Sequence, residues 1–251
     1  EVRMIMQTVR VYDKIDLVRS EQPGIRLETN LYYLPDNENN LGYRAAKLLM
    51  DEFGVTEGVE IKMKKFIPVA AGMAGGSSDA AAVLFGVNKM FSLGLTTEQL
   101  MERGVKLGAD VPYCIMRGTA LSEGIGEILT PLPPMPQCQI LIAKPPISVS
   151  TKFVYENLYL PSLSRDAHPN IDKIAKALAS RDFYGVADNL GNILETVTIP
   201  AHPVIREIKE KMMELGAVNA LMSGSGPTVF GLFVNPAAAQ EAYEEMRYGS
   251  A

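Results

Sequence analysis

The run Pro68-Val69-Ala70-Ala71-Gly72-Met73-Ala74-Gly75-Gly76-Ser77-Ser78 constrains this chain more than any other stretch. Glycines at 72, 75 and 76 let the backbone turn its amides inward there. The apolar residues that follow, from about Ser78 to Phe91, predict a helix. Ahead of the loop, Val59, Ile61 and Met63 alternate with Glu60, Lys62 and Lys64, which predicts a half-buried strand. The order is therefore strand, glycine loop, helix. The first amides of such a helix have no intrahelical partner, and its aligned peptide dipoles add partial positive charge. Glycines let those amides approach an anion closely, phosphate above all. Ser77 and Ser78 add hydroxyls suited to phosphate or to phosphate-bound Mg²⁺. The same pattern equally describes a capped helix behind a flexible loop.

The best-known nucleotide loops do not fit. A Walker A loop needs Gly-Lys-Ser/Thr, and no glycine here precedes a lysine. Rossmann spacing with its acidic residue is missing, as are the protein-kinase signatures. Composition removes further classes. A length of 251 residues allows one large domain or two small ones, with a core that needs no disulfide or metal staple. With 24 Lys+Arg against 29 Asp+Glu the net charge is −5, and there is no basic run of the kind that grips nucleic acid. There is no apolar stretch of about 18 residues for a membrane helix. Cys114 and Cys138, both in apolar surroundings, suit a reducing cytoplasm better than a disulfide scaffold. His168 and His202 lie far from both cysteines, so no metal-ligand spacing is visible.

Elsewhere strands and helices are mixed. Strands are expected over 4–11, 14–18 and 24–29. Asn40 suits the N-cap of a helix over 41–53, and Gly54 suits its stop. A helix opens at Thr97 and runs to near Gly108, followed by short strands over 113–116 and 119–122. Four prolines in 131–136 make a connector, and a strand over 139–143 follows it. The second half reads as helices near Thr151, Ile171 and Phe183 and over 203–215. Then come a strand over 217–222, a glycine turn over 223–226, a strand over 228–234 and a helix after Pro236. Without strict βαβ alternation this is an α+β pattern. Met212 and Met213 read as core filler.

Two further segments carry candidate chemistry. In Leu107-Gly108-Ala109-Asp110-Val111-Pro112, Asp110 sits between a helix end and an expected strand. An aspartate there can accept a proton from a substrate hydroxyl. The commoner reading of such a residue is a turn aspartate bonding nearby amides. Met222-Ser223-Gly224-Ser225-Gly226-Pro227-Thr228 lies between two apolar strands and suits either the lining of a cleft or a hairpin turn. Tyr155 reads as a half-buried helix residue that can also stack on a base.

In this order and at this separation, the three segments resemble the GHMP small-molecule kinases. That family's phosphate loop has the form Pro-x-x-x-Gly-Leu-Gly/Ala-Gly-Gly-Ser-Ser, with Met73 here at the Leu position. The Asp110 and Ser223 segments narrow the likeness to the branch that phosphorylates the 2-hydroxyl of a cytidyl-diphospho sugar alcohol for non-mevalonate isoprenoid synthesis. Asn39-Asn40-Leu41, Gly118-Thr119-Ala120-Leu121 with Gly124-Ile125-Gly126-Glu127, and Lys144-Pro145 with Ser150-Thr151 extend it over essentially the whole chain. The resemblance implies two lobes. Residues 1–143 would be an ATP-binding lobe like the second domain of ribosomal protein S5, and 144–251 a ferredoxin-like lobe on the substrate side. It implies ATP and Mg²⁺ as cofactors, with the ATP phosphates on Pro68 to Ser78 and with Asn40 and Lys65 near the adenosine. It implies that Asp110 takes the proton from the substrate hydroxyl. Thr151 and Tyr155 would lie near the substrate, an aromatic stacking on cytosine, and Ser223, Gly224 and Ser225 would support the loop and cleft. The implied partner is a small molecule, not nucleic acid or membrane, for a cytoplasmic monomer or homodimer.

The family opens with a motif containing proline, lysine and asparagine, followed later by Gly-Tyr-His. The lysine assists catalysis, and the tyrosine and histidine help hold the cytidine. This chain starts at Glu1, where the family reads onward from that histidine, and a short strand after Tyr248 is also missing. The natural protein is thus expected to be an active kinase and the chain as written to be crippled, since one positioned cationic donor is worth on the order of a hundredfold in rate. Two alternatives stay open: another substrate within the family, such as homoserine or mevalonate, or a nucleotide-binding module without catalysis.

Overall fold

In the computed structural model, which describes residues 2–163 and 167–248, the chain divides into two units. Residues 1–69 with 74–131 form the first, and residues 132–251 with 70–73 the second. The first unit contains β1 (Val2–Gln7), β2 (Lys14–Ser20), β3 (Gly24–Thr29), β4 (Gly58–Lys64), β5 (Thr119–Gly124) and β6 (Ile128–Pro131). Its helices are α1 (Leu41–Phe53), α2 (Gly75–Met90), α3 (Thr97–Gly104) and α4 (Val111–Met116). One sheet has the order β2-β4-β3, antiparallel between β2 and β4 and parallel between β3 and β4; the other has the order β1-β5-β6 and is antiparallel.

The alternation expected in β4 is present: Val59, Ile61 and Met63 are buried while Lys62 and Lys64 are exposed. Against that face pack Ala45, Ala46 and Leu49 of α1 and Ala80, Val83, Leu84 and Val87 of α2. Each large apolar side chain buried this way stabilises the unit by about 1.5–3 kcal/mol. The expected cap of α1 is also there. The Asn40 Oδ1 accepts from Gly42 N–H at 2.8 Å, and Gly54, with φ 62°, closes the helix by donating to the Met50 carbonyl. α3 begins with a capping box between Thr96 and Gln99.

Several boundaries differ from expectation. Residues 113–116, expected as a strand, form most of α4. Pro112 stands in the first turn, where its missing N–H is no loss, and Arg117, with φ 63°, ends the helix. β1 stops at Gln7 instead of continuing to residue 11, because its partner ends at Thr119 and the left-handed Arg117 and Gly118 turn the chain away. α2 begins at Gly75, three residues ahead of Ser78, with Ser78 N–H donating to the Ala74 carbonyl.

The second unit contains β7 (Gln139–Ala143), β8 (Asn219–Met222) and β9 (Val229–Phe233) in the antiparallel order β7-β9-β8. With them are α5 (Thr151–Asn157), α6 (Ile171–Ala179), α7 (Phe183–Asp188), α8 (Glu195–Ala201), α9 (Val204–Glu214) and α10 (Pro236–Tyr248). Its core gathers Val154, Ile205, Met212, Met222, Val229 and Phe233. Met213, expected as core filler beside Met212, is exposed: successive residues on a helix point about 100° apart, and only Met212 faces inward. α8 has no counterpart in the sequence reading, which Pro200 within it obscured. β7 pairs with β9, so the division near residue 131 precedes the expected lobe boundary after residue 143.

Candidate functional site

The glycine loop has an unusual backbone. Ala70, Gly72 and Ala74 all have positive φ, at 50°, 70° and 51°. An L-residue in that region costs about 1–2 kcal/mol, so the alternation is held by its surroundings. Ala74 is the N-cap of α2 and supplies no side-chain acceptor. The amides of Gly75, Gly76 and Ser77 therefore precede the first intrahelical bond without a cap, and no acidic residue stands in the first turn. That is an electropositive helix start free to take an anion. The glycines differ in why they are small. A Cβ on Gly75 would lie 2.9 Å from the Ile67 Cγ2, whereas on Gly76 it would meet only the Leu41 Cδ1 at 3.4 Å.

The Asp110 segment comes to the same helix start within the first unit. A Cβ placed on Gly108 would lie 3.9 Å from the Ser77 Oγ. Asp110 occupies the N-cap position of α4, yet its side chain makes no cap hydrogen bond. The turn-aspartate alternative is thus not what the structure holds. Burial raises the Asp110 carboxyl above the ordinary carboxylate range. Burial also pushes the neighbouring Cys114 thiol up to about 12, helped by the negative charge of Asp110 and Asp79.

Lys65 and Asn40 are occupied by the protein itself. The Lys65 ammonium donates to Asp13 and, at 2.5 Å, to Asp79, and the three side chains are only 4%, 3% and 6% exposed. Asp13 also accepts from the amides of Phe66 and Ile67, at 2.5 and 2.8 Å. Burial pushes Asp13 up, but Lys65 and these amides outweigh it and hold the carboxyl below its ordinary range. Asp79 goes the other way: burial, with Asp13 adding and Lys65 opposing, raises it to about 7. Its Oδ1 has no hydrogen-bond partner. The Asn40 amide donates to the Pro35 carbonyl at 2.9 Å while its oxygen caps α1. Asp13 and Asp79 were not singled out in the sequence. Asp79 follows the serine pair directly, which was the available signal; Asp13 offered none.

In the second unit the two remaining candidate groups meet. Ser225 is buried, and its hydroxyl lies 2.8 Å from the Thr151 hydroxyl at the start of α5. Tyr155, one turn along α5, is exposed rather than half-buried. The Ser223 Oγ donates to the Gly72 carbonyl at 2.8 Å, which ties the third motif to the middle of the glycine loop. Gly72 is forced by that contact, since a Cβ there would lie 2.2 Å from the Ser223 carbonyl oxygen. Asn192 and Glu195, which no motif indicated, also hold this turn. The Asn192 amide donates to the carbonyls of Met222 and Gly224, and Glu195 accepts from Met222 N–H.

Among the described residues no group of three or more His, Cys, Asp or Glu is arranged to hold a metal ion, and no helix is long and apolar enough to cross a membrane.

Comparison with known proteins is consistent across the chain. Residues 40–118 match the GHMP kinases N terminal domain and residues 174–250 match the GHMP kinases C terminal domain. The chain is 57% identical to a 4-diphosphocytidyl-2-C-methyl-D-erythritol kinase of Lachnoclostridium phytofermentans, over 99% of this chain and 85% of that one. It is 51% identical to the protein of the same name from Alkaliphilus metalliredigens, over 98% and 84%. A crystal structure of a 4-(cytidine 5'-diphospho)-2C-methyl-D-erythritol kinase superposes with TM-score 0.77 at 32% identity, over 94% of this chain and 82% of that one. The fold extends to a homoserine kinase from Cytophaga hutchinsonii, with TM-score 0.80 at 21% identity over 93% and 81%.

Proposed function

Because the chain belongs to the GHMP kinase family, we propose that it transfers the γ-phosphoryl group of ATP to the 2-hydroxyl of 4-diphosphocytidyl-2-C-methyl-D-erythritol. It is a kinase of small molecules. The observation that carries the reading is Asp110, a half-buried carboxylate without a cap bond, on the segment that packs beside Ser77 at the open start of α2.

Phosphoryl transfer needs positioning and charge stabilisation more than covalent help from the protein. Residues 68–78 would receive the triphosphate, with the uncapped amides of Gly75, Gly76 and Ser77 facing its oxygens. Hydroxyl and phosphate oxygens are the hard donors that Mg²⁺ prefers, so the hydroxyls of Ser77 and Ser78 would hold it together with ATP. When bound, it would neutralise phosphate charge. Asp110 would orient the substrate hydroxyl and take its proton as the new P–O bond forms and ADP leaves with the bridging electron pair. Asn40 and Lys65 would act near the adenosine by fixing the segments they bond, since their polar atoms are already engaged. Thr151, with Ser225, and Tyr155 would meet the substrate, Tyr155 through its exposed ring.

The test offers ATP with 4-diphosphocytidyl-2-C-methyl-D-erythritol, homoserine or mevalonate and follows ADP release. Turnover is expected with the first alone, with competition by cytidine nucleotides. Turnover with either of the others, or ATP binding without transfer to any of them, overturns the assignment.

A further inference from the structure

β8 is an edge strand, paired with β9 on one side only. Its last residue, Met222, nevertheless has both backbone groups held by side chains, from Asn192 just ahead of α8 and from Glu195 at its first position. The Asn192 Nδ2 donates to the Met222 carbonyl at 2.9 Å and to the Gly224 carbonyl at 2.8 Å. The Glu195 Oε1 accepts from Met222 N–H at 2.8 Å, and its Oε2 accepts from the Lys209 ammonium at 2.6 Å. The remaining polar atom of Asn192, Oδ1, accepts from Leu194 N–H at 3.0 Å, so the amide plane cannot rotate without losing a bond. One amide thus sets the curvature of residues 222–224. Within that curve Ser223 donates to the Gly72 carbonyl at 2.8 Å, while Gly226 N–H closes the turn on the Ser223 carbonyl at 2.9 Å.

A trans peptide points its C=O and N–H in opposite directions. Holding the Gly72 carbonyl toward Ser223 therefore aims the Met73 N–H away from it, and no protein acceptor for that amide is found among the described residues. We propose that Asn192 is a positioning residue for nucleotide binding: through Met222, Gly224 and Ser223 it fixes the peptide between Gly72 and Met73 so that the Met73 amide is presented to a phosphate oxygen. The inference rests on the reading of residues 68–78 as the triphosphate loop.

Asn192→Asp tests it. The carboxylate keeps the shape and the acceptor for Leu194 N–H but removes both donors. The affinity for a non-hydrolysable ATP analogue and the KM for ATP should each weaken about tenfold, the scale of one lost hydrogen bond, while the KM for the cytidyl substrate moves less than about twofold. Asn219→Ala controls for general loosening. It removes a 2.6 Å bond to the Ala187 carbonyl from β8 itself and should lower the melting temperature with ATP affinity kept within about twofold. Ser223→Ala should weaken ATP as Asn192→Asp does, and the double variant should be little worse than either single one, because both cut the same line. Equal ATP affinities in Asn192→Asp and Asn219→Ala, or fully multiplicative losses in the double variant, overturn the proposal. Should Asn192→Asp not fold, unchanged ATP affinity in Ser223→Ala overturns it alone. A wild-type protein that binds no ATP overturns the functional reading instead.

Discussion

At the scale of single residues, the environment of Asp110 leads to a kinetic expectation. Removing a general base typically costs about 10²–10⁴ in rate, so Asp110→Asn should lower kcat by that factor with little change in the KM for ATP. Burial lifts this carboxyl, so the acid limb of the wild-type rate profile should fall at a pH above the ordinary carboxylate range and vanish in the variant. A profile with its limb in the ordinary range would remove Asp110 from that role. Ala74 gives a stability expectation: at φ 51° its Cβ is strained, and Ala74→Gly should stabilise the fold by about 1 kcal/mol, read as a higher midpoint in denaturant. Gly76 separates folding from binding. Alanine there meets only an ordinary contact and is the better helix former, so Gly76→Ala should unfold no more easily. Its methyl group should nonetheless weaken ATP at least tenfold by blocking close approach, roughly 1.4 kcal/mol, whereas unchanged affinity would place the phosphates elsewhere.

At the scale of elements, the cluster of Lys65, Asp13 and Asp79 joins the end of β4 to α2, and its two carboxylates respond oppositely to pH. Asp79, raised from 3.8 to about 7, binds its proton more tightly in the folded chain, so its contribution to stability is full below pH 3.8 and is lost as pH rises through about 7. Asp13 is held low, and its contribution is present above pH 3.8 and lost in acid. Asp79→Asn leaves one cation facing one anion in a buried place. Its melting temperature should therefore gain on the wild type between pH 5 and pH 8, and a constant difference over that range would refute the raised Asp79. None of this was legible in the sequence, since Asp13 and Lys65 are 52 residues apart and no spacing rule links them. The elements around the cluster were more readable. Asn40, Gly54 and the alternation of β4 act through neighbours a few residues away, and each behaved as its local chemistry dictates. α4 escaped because the preference of Val111, Tyr113 and Ile115 for strand was overridden by Pro112 in a first helical turn and by left-handed Arg117 beyond the last. The candidate site divided the same way. Its glycines and serines announce themselves by type, while Asn192 and Glu195 matter only through backbone groups about 30 residues downstream.

At the scale of the molecule, the thiols are quiet. Cys114 and Cys138 are both free, and burial raises both, Cys114 to about 12. At neutral pH almost no thiolate is present, so alkylation should be slow until the chain is unfolded, and reductant should leave the melting temperature unchanged. Fast alkylation of the native protein would contradict that burial. The four residues 70–73 have a wider consequence. They belong with the second unit, although the chain on either side of them belongs with the first. Their hydrogen-bonded anchor, Ser223, lies 151 residues beyond Gly72. As the polypeptide leaves the ribosome, β1 through β6 can be complete once residue 131 is free. The middle of the glycine loop must then wait for most of the second unit to be made. At about 5–20 residues per second, that delay is on the order of ten seconds. On the proposed reading of residues 68–78, a chain released only to residue 131 would carry a helix start able to attract phosphate but a loop not yet shaped to keep it. The capacity to retain nucleotide would then arrive only once Ser223 has been made.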